Sequence, residues 1–221
     1  MKIEIWSDVM CPFCYLGKRR LENALEQSGF KAEAEITWKS FQLNPDMRTE
    51  PGKGIETYLV EQKGWSLDQI RKSHARLTQA AAEVGLLYDF EKAVVANSFD
   101  AHRLVQLAKT KGRGDAMEER LFKAYFSEGG DISDHATLVN LAVDAGLEAE
   151  DTRTVLADKQ AFAREVRADV NEAQQLGVTG VPFFVFDRKF AVSGAQDPAV
   201  FLKAINKAHA ESDQAGEAEA A

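Results

Sequence analysis

The stretch Ile3-Glu4-Ile5-Trp6-Ser7-Asp8-Val9-Met10-Cys11-Pro12-Phe13-Cys14 places the only two cysteines of the chain at the end of an alternating apolar run. Alternation over residues 2–8 predicts a half-buried strand ending at Ser7-Asp8. The segment from Pro12 to Ser28 predicts a helix, with proline near its first position and Gly29 just past its end. On that helix Cys14, Leu21 and Leu25 share one face. Cys14 should therefore point inward while Cys11, at the helix start, stays reachable. A helix N-terminus offers unpaired N–H groups and partial positive charge, both of which stabilise a thiolate. The spacing thus predicts Cys11 as an ionised nucleophile and Cys14, one turn on, as its resolving partner.

Composition narrows the field. The 221 residues are 45% hydrophobic and 28% charged, with net charge −8, four of those charges coming from Glu211, Asp213, Glu217 and Glu219. An acidic body argues against sequence-independent nucleic-acid binding. Met1-Lys2 leads directly into the strand pattern, and no apolar run approaches the ~20 residues needed to span a bilayer. With two cysteines in all, the expectation is cytoplasmic residence and no membrane partner.

Working outward, a second strand is expected from Glu35 to Leu43, and Asn44–Gly54, with two prolines and two glycines, reads as a crossing. Helices are then expected for over a hundred residues. One is capped by Ser66 with a seam of Leu67, Ile70, Leu77, Ala81 and Val84; two more cover Ser98–Lys111 and Asp115–Phe126. Another is capped by Ser133, and a last one begins near Asp158 with Phe162, Val166, Val170 and Ala173 on one side. Strands return at Phe183–Phe186 and Phe190–Val192 around an Asp187-Arg188 turn, and Asp197-Pro198 opens a closing helix to about Ala210. The fold class is α/β: a core of residues 1–43 and 177–210, a helical insertion at 55–176, and an acidic tail, 211–221, expected to be disordered.

Gly177-Val178-Thr179-Gly180-Val181-Pro182 precedes the buried strand, and Val181-Pro182 is the candidate for a cis peptide bond. Such a turn would present the Val181 backbone to an extended partner chain by strand addition. A trans proline starting a strand is the plainer reading.

A CPxC opening a helix after the first strand, a helical insertion, GVxGVP, a hairpin and a closing helix resemble the DsbA family of thioredoxin-fold oxidoreductases. Ser7–Gly17, Ala101-His102-Arg103-Leu104, Gly177–Phe184 and Val192–Gln196 are similar to its cytoplasmic, FrnE-like branch. The resemblance implies a thioredoxin-like core with a large inserted all-helical subdomain, Cys11 as nucleophile, Cys14 as resolving thiol, and cis-Pro182. Pro12, Phe13, Val181 and Pro182 would then contact substrate, a disulfide-containing peptide or small-molecule thiol. Periplasmic DsbA proteins carry histidine where Phe13 stands, so strong oxidising power is not implied. No cofactor is expected beyond glutathione or another thiol as redox partner, and monomer and homodimer both stay open.

Other residues carry two readings each. Asn97 either caps the following helix or meets substrate; His102 either makes an interdomain hydrogen bond or lines the cleft; Gln196 sits near the last helix start. His74 reads as a packed histidine, and Lys18-Arg19-Arg20 as a solvated face. A zinc site would need a second ligand pair, which four scattered histidines do not provide, so no metal is expected. Two alternatives to dithiol exchange remain: a glutathione-dependent isomerase or transferase related to the kappa class, and a non-enzymatic binding scaffold. For the former, the Asp197-Pro198 helix start could hold a glutathione carboxylate.

Overall fold

In the computed structural model, which describes residues 1–219, β1 (Lys2–Ser7) runs directly into the cysteine motif. The helix α1 (Pro12–Ser28) starts and stops where its punctuation demands. Pro12 fills the first turn, and Gly29, at φ 79°, ends it with its N–H on the Glu26 carbonyl. The chain then returns as β2 (Glu35–Ser40), parallel to β1, with Ile3 opposite Ile36 and Ile5 opposite Trp38.

A two-stranded ribbon follows that local sequence does not announce: β3 (Glu50–Gly54) pairs with a strand some forty residues on. The sequence reads as a loop there because Pro51, Gly52 and Gly54 carry turn chemistry, and the pairing is supplied from outside. Next come α2 (Ile55–Lys63), α3 (Leu67–Ala82) and the partner strand β4 (Val94–Val95). Ser66 caps α3 in a reciprocal box with Gln69. Ile70, Leu77 and Ala81 are buried as expected, whereas Leu67, expected in the seam, is exposed.

The remaining helices are α4 (Phe99–Thr110), α5 (Gly114–Lys123), α6 (His135–Asp144), α7 (Ala149–Ala157) and α8 (Ala163–Gln175). Three expectations are corrected. The helix expected to reach Phe126 as one α-helix widens at Ala124–Glu128 into a π-helical turn. The cap of α6 is Asp134, whose carboxylate accepts from the Thr137 N–H at 2.7 Å, while Ser133 is turned back onto Asp131. The helix expected from Asp158 breaks instead: Phe162 takes φ 57°, and α8 begins after it. A buried arginine explains the break. From α4, Arg103 donates to the carbonyls of Val155, Asp158 and, at 2.7 Å, Ala161, satisfying the ends that a continuous helix would have used internally.

The core closes with β5 (Phe183–Phe186), β6 (Phe190–Ser193) and α9 (Pro198–Glu219). Asp187 and Arg188 both adopt positive φ, giving the hairpin a turn that matches strand twist. The closing helix, expected to end at about Ala210, continues to Glu219. Residues 220–221 of the acidic tail lie outside the described residues. The sheet order is β2-β1-β5-β6, with β1 and β5 antiparallel. On one face Ile3, Ile5, Phe184 and Phe186 pack with Leu21, Leu25, Phe201 and Ile205. On the other, Trp6 and Val185 meet Ala173 and Val178, and the Trp6 indole donates to the Asp169 carbonyl at 3.0 Å. Both faces are covered, which accounts for the continuous apolar run in β5.

One close approach ties α1 to this sheet. A Cβ on Gly17 would meet Pro182 Cγ at 3.0 Å and Phe184 Cζ at 3.1 Å. Gly17→Ala gains about 1 kcal/mol of helix propensity but loses about 1–3 kcal/mol by overpacking. A net destabilisation is expected, read as a lower urea midpoint at unchanged slope; a raised midpoint would show that the contact yields freely.

Candidate active site

The site begins where β1 ends. The turn after Ser7 is closed by the Cys11 N–H on the Asp8 carbonyl at 2.9 Å, which leaves Cys11 at the N-cap of α1. Cys14 follows one turn later, and both cysteines are free thiols. Cys11, expected to stay reachable, is buried as well, 3% exposed against 1% for Cys14, because the Val181–Pro182 loop and the helical segment close over the helix start. The loop before β5 returns to the same point. The Val181–Pro182 peptide bond is cis, and the Val181 carbonyl accepts from the Cys11 thiol at 3.5 Å. Tyr88 braces the motif from the helical segment, its hydroxyl donating to the Pro12 carbonyl at 2.6 Å.

Burial pushes the Cys14 thiol well above its ordinary value, and its hydrogen bond and charge interaction with Cys11 push the same way. The Asp8 backbone and the Ser7 hydroxyl oppose this more weakly. Cys14 is thus held protonated behind Cys11, which lies on the wall of a cavity of about 400 Å³. Met10 and Phe13 join Cys11 on the core side of that cavity; Tyr58, Ile70 and Tyr125 face them from the helical side.

Beneath the motif lies a buried polar layer. The Ser7 hydroxyl donates to Glu118 Oε1 at 2.8 Å, and Glu118 Oε2 has no hydrogen-bond partner among the described residues. Burial raises Glu118 to about 7, against the pull of His102 and Ser7. The Asp8 carboxylate accepts from the Leu43 N–H at 2.8 Å and faces His102 Nε2 at 3.4 Å. Burial alone would lower His102, but Asp8, with Glu118 and Asp169 behind it, leaves it above its ordinary value.

The family model described as DSBA-like thioredoxin domain matches residues 2–206. The chain belongs to this family. It is 43% identical to a probable DsbA oxidoreductase from Streptomyces coelicolor, covering 96% of this chain and 91% of that one at TM-score 0.88. A 2-hydroxychromene-2-carboxylate isomerase shares the fold at 15% identity and TM-score 0.72, over 97% and 98% of the two chains. The cytosolic disulfide reductase DsbM from Pseudomonas aeruginosa shares it at 21% identity and TM-score 0.61, over 98% and 99%, and has also been solved with GSH. No helix of the described residues is long and apolar enough to cross a membrane.

Within this DsbA-like frame Cys11, Pro12, Phe13, Cys14, Val181 and Pro182 come together. Three other sequence candidates do not reach the cavity. Asn97 spends its carboxamide on structure, donating to the carbonyls of Pro45 and Met47 at 3.1 and 2.9 Å and accepting from the Phe99 N–H at 2.9 Å. His102 is buried against Asp8, behind the motif. Gln196 closes the turn after β6, donating to the Ser193 carbonyl at 2.8 Å. Nor is Lys18-Arg19-Arg20 a solvated face. Lys18 is buried and paired with Glu119 at 2.9 Å, Arg19 meets Glu119 at 2.7 Å, and Arg20 donates to the Ala195 carbonyl. Sequence reading missed Ser7, Glu118 and the aromatic wall from α2 to the π-helical turn. Glu118 carried no signal, because its partner is 111 residues away.

The raised Glu118 has a defined consequence for stability. Between the unfolded glutamate value of ~4.3 and the folded value of about 7, the folded protein keeps a proton that the unfolded chain has lost. Stability therefore falls as pH rises through that window. The raised His102 acts with the same sign, its contribution being lost as pH rises through its folded-state value. Urea unfolding between about pH 4.5 and about pH 7 should show wild-type stability declining, and Glu118→Gln should flatten the decline. Equal slopes would remove Glu118 as its cause.

Proposed function

We propose that the protein is a thiol–disulfide oxidoreductase in which Cys11 is the attacking thiolate and Cys14 the resolving thiol. One observation carries this reading: of the two buried thiols only Cys11 lies on the cavity wall, while Cys14 is kept protonated directly behind it. In the forward direction Cys11 attacks one sulfur of a substrate disulfide, forming a mixed disulfide and expelling the other sulfur as a thiolate. Cys14 then attacks Cys11 Sγ, closing the Cys11–Cys14 disulfide and releasing the second substrate thiol. The two electrons that reduce the substrate come from the two cysteines. The Cys14 proton has a route through the Ser7 hydroxyl to Glu118, a carboxyl whose value near 7 suits it to accept and return a proton. The reverse sequence oxidises a substrate dithiol with the same groups.

Pro12, Phe13, Val181 and Pro182 form the rim on which an extended substrate would lie, held by main-chain hydrogen bonds in the manner of strand addition. The glutathione-carboxylate alternative at α9 meets an obstacle, since the Asp197 carboxylate already occupies that helix start, accepting from the Ala199 N–H at 2.9 Å. A second carboxylate there would face a like charge.

Two variants test the assignment with a fluorogenic disulfide substrate under a dithiol reductant. Cys11→Ser should lower turnover to below about one-thousandth of wild type, and Cys14→Ser should accumulate protein–substrate mixed disulfides visible by non-reducing mass spectrometry. Wild-type turnover by Cys11→Ser would sink the assignment.

A further inference from the structure

The sulfur that must attack a disulfide is closed in. Cys11 is buried although it lies on the cavity wall, and thiolate attack needs an open line of approach to the target sulfur. The opposite wall includes α2, through Ile55, Tyr58, Leu59 and Gln62. Exchange therefore requires part of that wall to move, and the attachments of each element decide which part.

The helix α2 is held lightly. Its nine residues bury one side chain, Tyr58. That ring sits in a small cluster with Met47 and Val95, with Ile55 and Leu59 packed on its edge. The other elements at the cavity are anchored in the main core, α3 by Leu77 and Ala81 and the π-helical turn by Tyr125 and Phe126. The polar ties of α2 are few. The Asn44 carboxamide donates to the Tyr58 hydroxyl at 2.8 Å. Glu56 meets Arg71 at 3.2 Å and Glu61 meets Lys53 at 2.7 Å, both at the surface, where such pairs contribute about 0.2–1 kcal/mol. Segments with so little buried area open at low cost.

Both ends of the helix can absorb the motion. Gly54 precedes it and Gly64, at φ 65°, ends it, and a Cβ at either would meet nothing within 4 Å. The first end also lies where the β3–β4 register shifts, between Glu50 and Gly54.

We propose that α2 is a hinged lid over Cys11: it swings out about Gly54 and Gly64 to admit a substrate disulfide, and the Asn44–Tyr58 hydrogen bond latches it shut. The purpose of the motion rests on the oxidoreductase reading; the motion itself does not.

Hydrogen–deuterium exchange of the reduced protein tests it, with alkylation of Cys11 by iodoacetamide as the second readout and no substrate present. Amides of residues 59–64 should exchange ahead of those of α3 and of the buried helix α4. Alkylation should rise with urea on the same shallow slope as exchange at 59–64. Tyr58→Phe keeps the ring and loses the latch, and Asn44→Ala loses it from the other side. Each should speed both exchange at 59–64 and alkylation about five-fold, as one neutral hydrogen bond implies. Ile205→Val, in the core under the sheet, should speed exchange in α4 and leave alkylation unchanged. Should a latch variant fail to fold, the wild-type slopes and Ile205→Val still decide. The proposal is overturned if residues 59–64 exchange no faster than α3, if alkylation follows α4, or if a latch variant speeds exchange at 59–64 but not alkylation. A protein that opens as described yet exchanges no disulfide would keep the lid and lose the oxidoreductase reading.

Discussion

Everything at the site depends on the antiparallel pairing of β1 with β5. That register sets Trp6 opposite Phe183 and Ile3 opposite Phe186, joining segments nearly 180 residues apart. Since β1 ends where the cysteine motif begins and β5 starts just after Pro182, the pairing delivers Val181–Pro182 to Cys11. A slip of one residue would exchange the two faces of β5, exposing Phe184 and Phe186 to the wrong layer. Hydrophobic burial on both faces fixes the register, and the register builds the site.

The two parts of the fold divide the chemistry. The sheet and α1 supply the thiols, the helix start and the cis-proline loop. The helical segment between β2 and β5 supplies the far cavity wall, the Tyr88 brace on Pro12 and the carboxyl of Glu118. Placing that carboxyl in the dry layer under Cys14 is costly unless it is protonated, which is why it titrates near neutrality. The same burial favours the protonated form of the Cys14 thiol. The two sulfurs are both buried and differ in their surroundings across a single helical turn, Cys11 lying on the cavity wall and Cys14 behind it.

What the sequence made legible was local. Pro12 and Gly29 bracket α1, Ser66 and Gln69 close a capping box, and Asp187-Arg188 and Asp197-Pro198 mark the turn and cap found in the fold. The cysteine spacing and the GVTGVP loop were legible for the same reason, since each is a short motif with its own backbone chemistry. The β3–β4 ribbon, the π-helical turn and the Arg103 clamp on the α7–α8 turn were not, because distant segments create them. Lys18 shows the limit most clearly. Its triplet of cations reads as a solvated surface until Glu119 and Asp115, a hundred residues on, cover it. Of the two readings open for Asn97, the structure has the one at the helix start, where it accepts from the Phe99 N–H and also holds the distant Pro45 and Met47 carbonyls. Gln196 is consumed by the local Ser193 carbonyl.

The central claim is that Cys11 and Cys14 form one reversible dithiol–disulfide couple. Equilibrating the protein across a series of glutathione redox buffers, then counting alkylated thiols by mass, tests it directly. The account predicts a single transition in which two thiols vanish together and an intramolecular Cys11–Cys14 disulfide forms. If no such disulfide formed at any ratio of reduced to oxidised glutathione, or only a mixed disulfide at Cys11, the account would be contradicted.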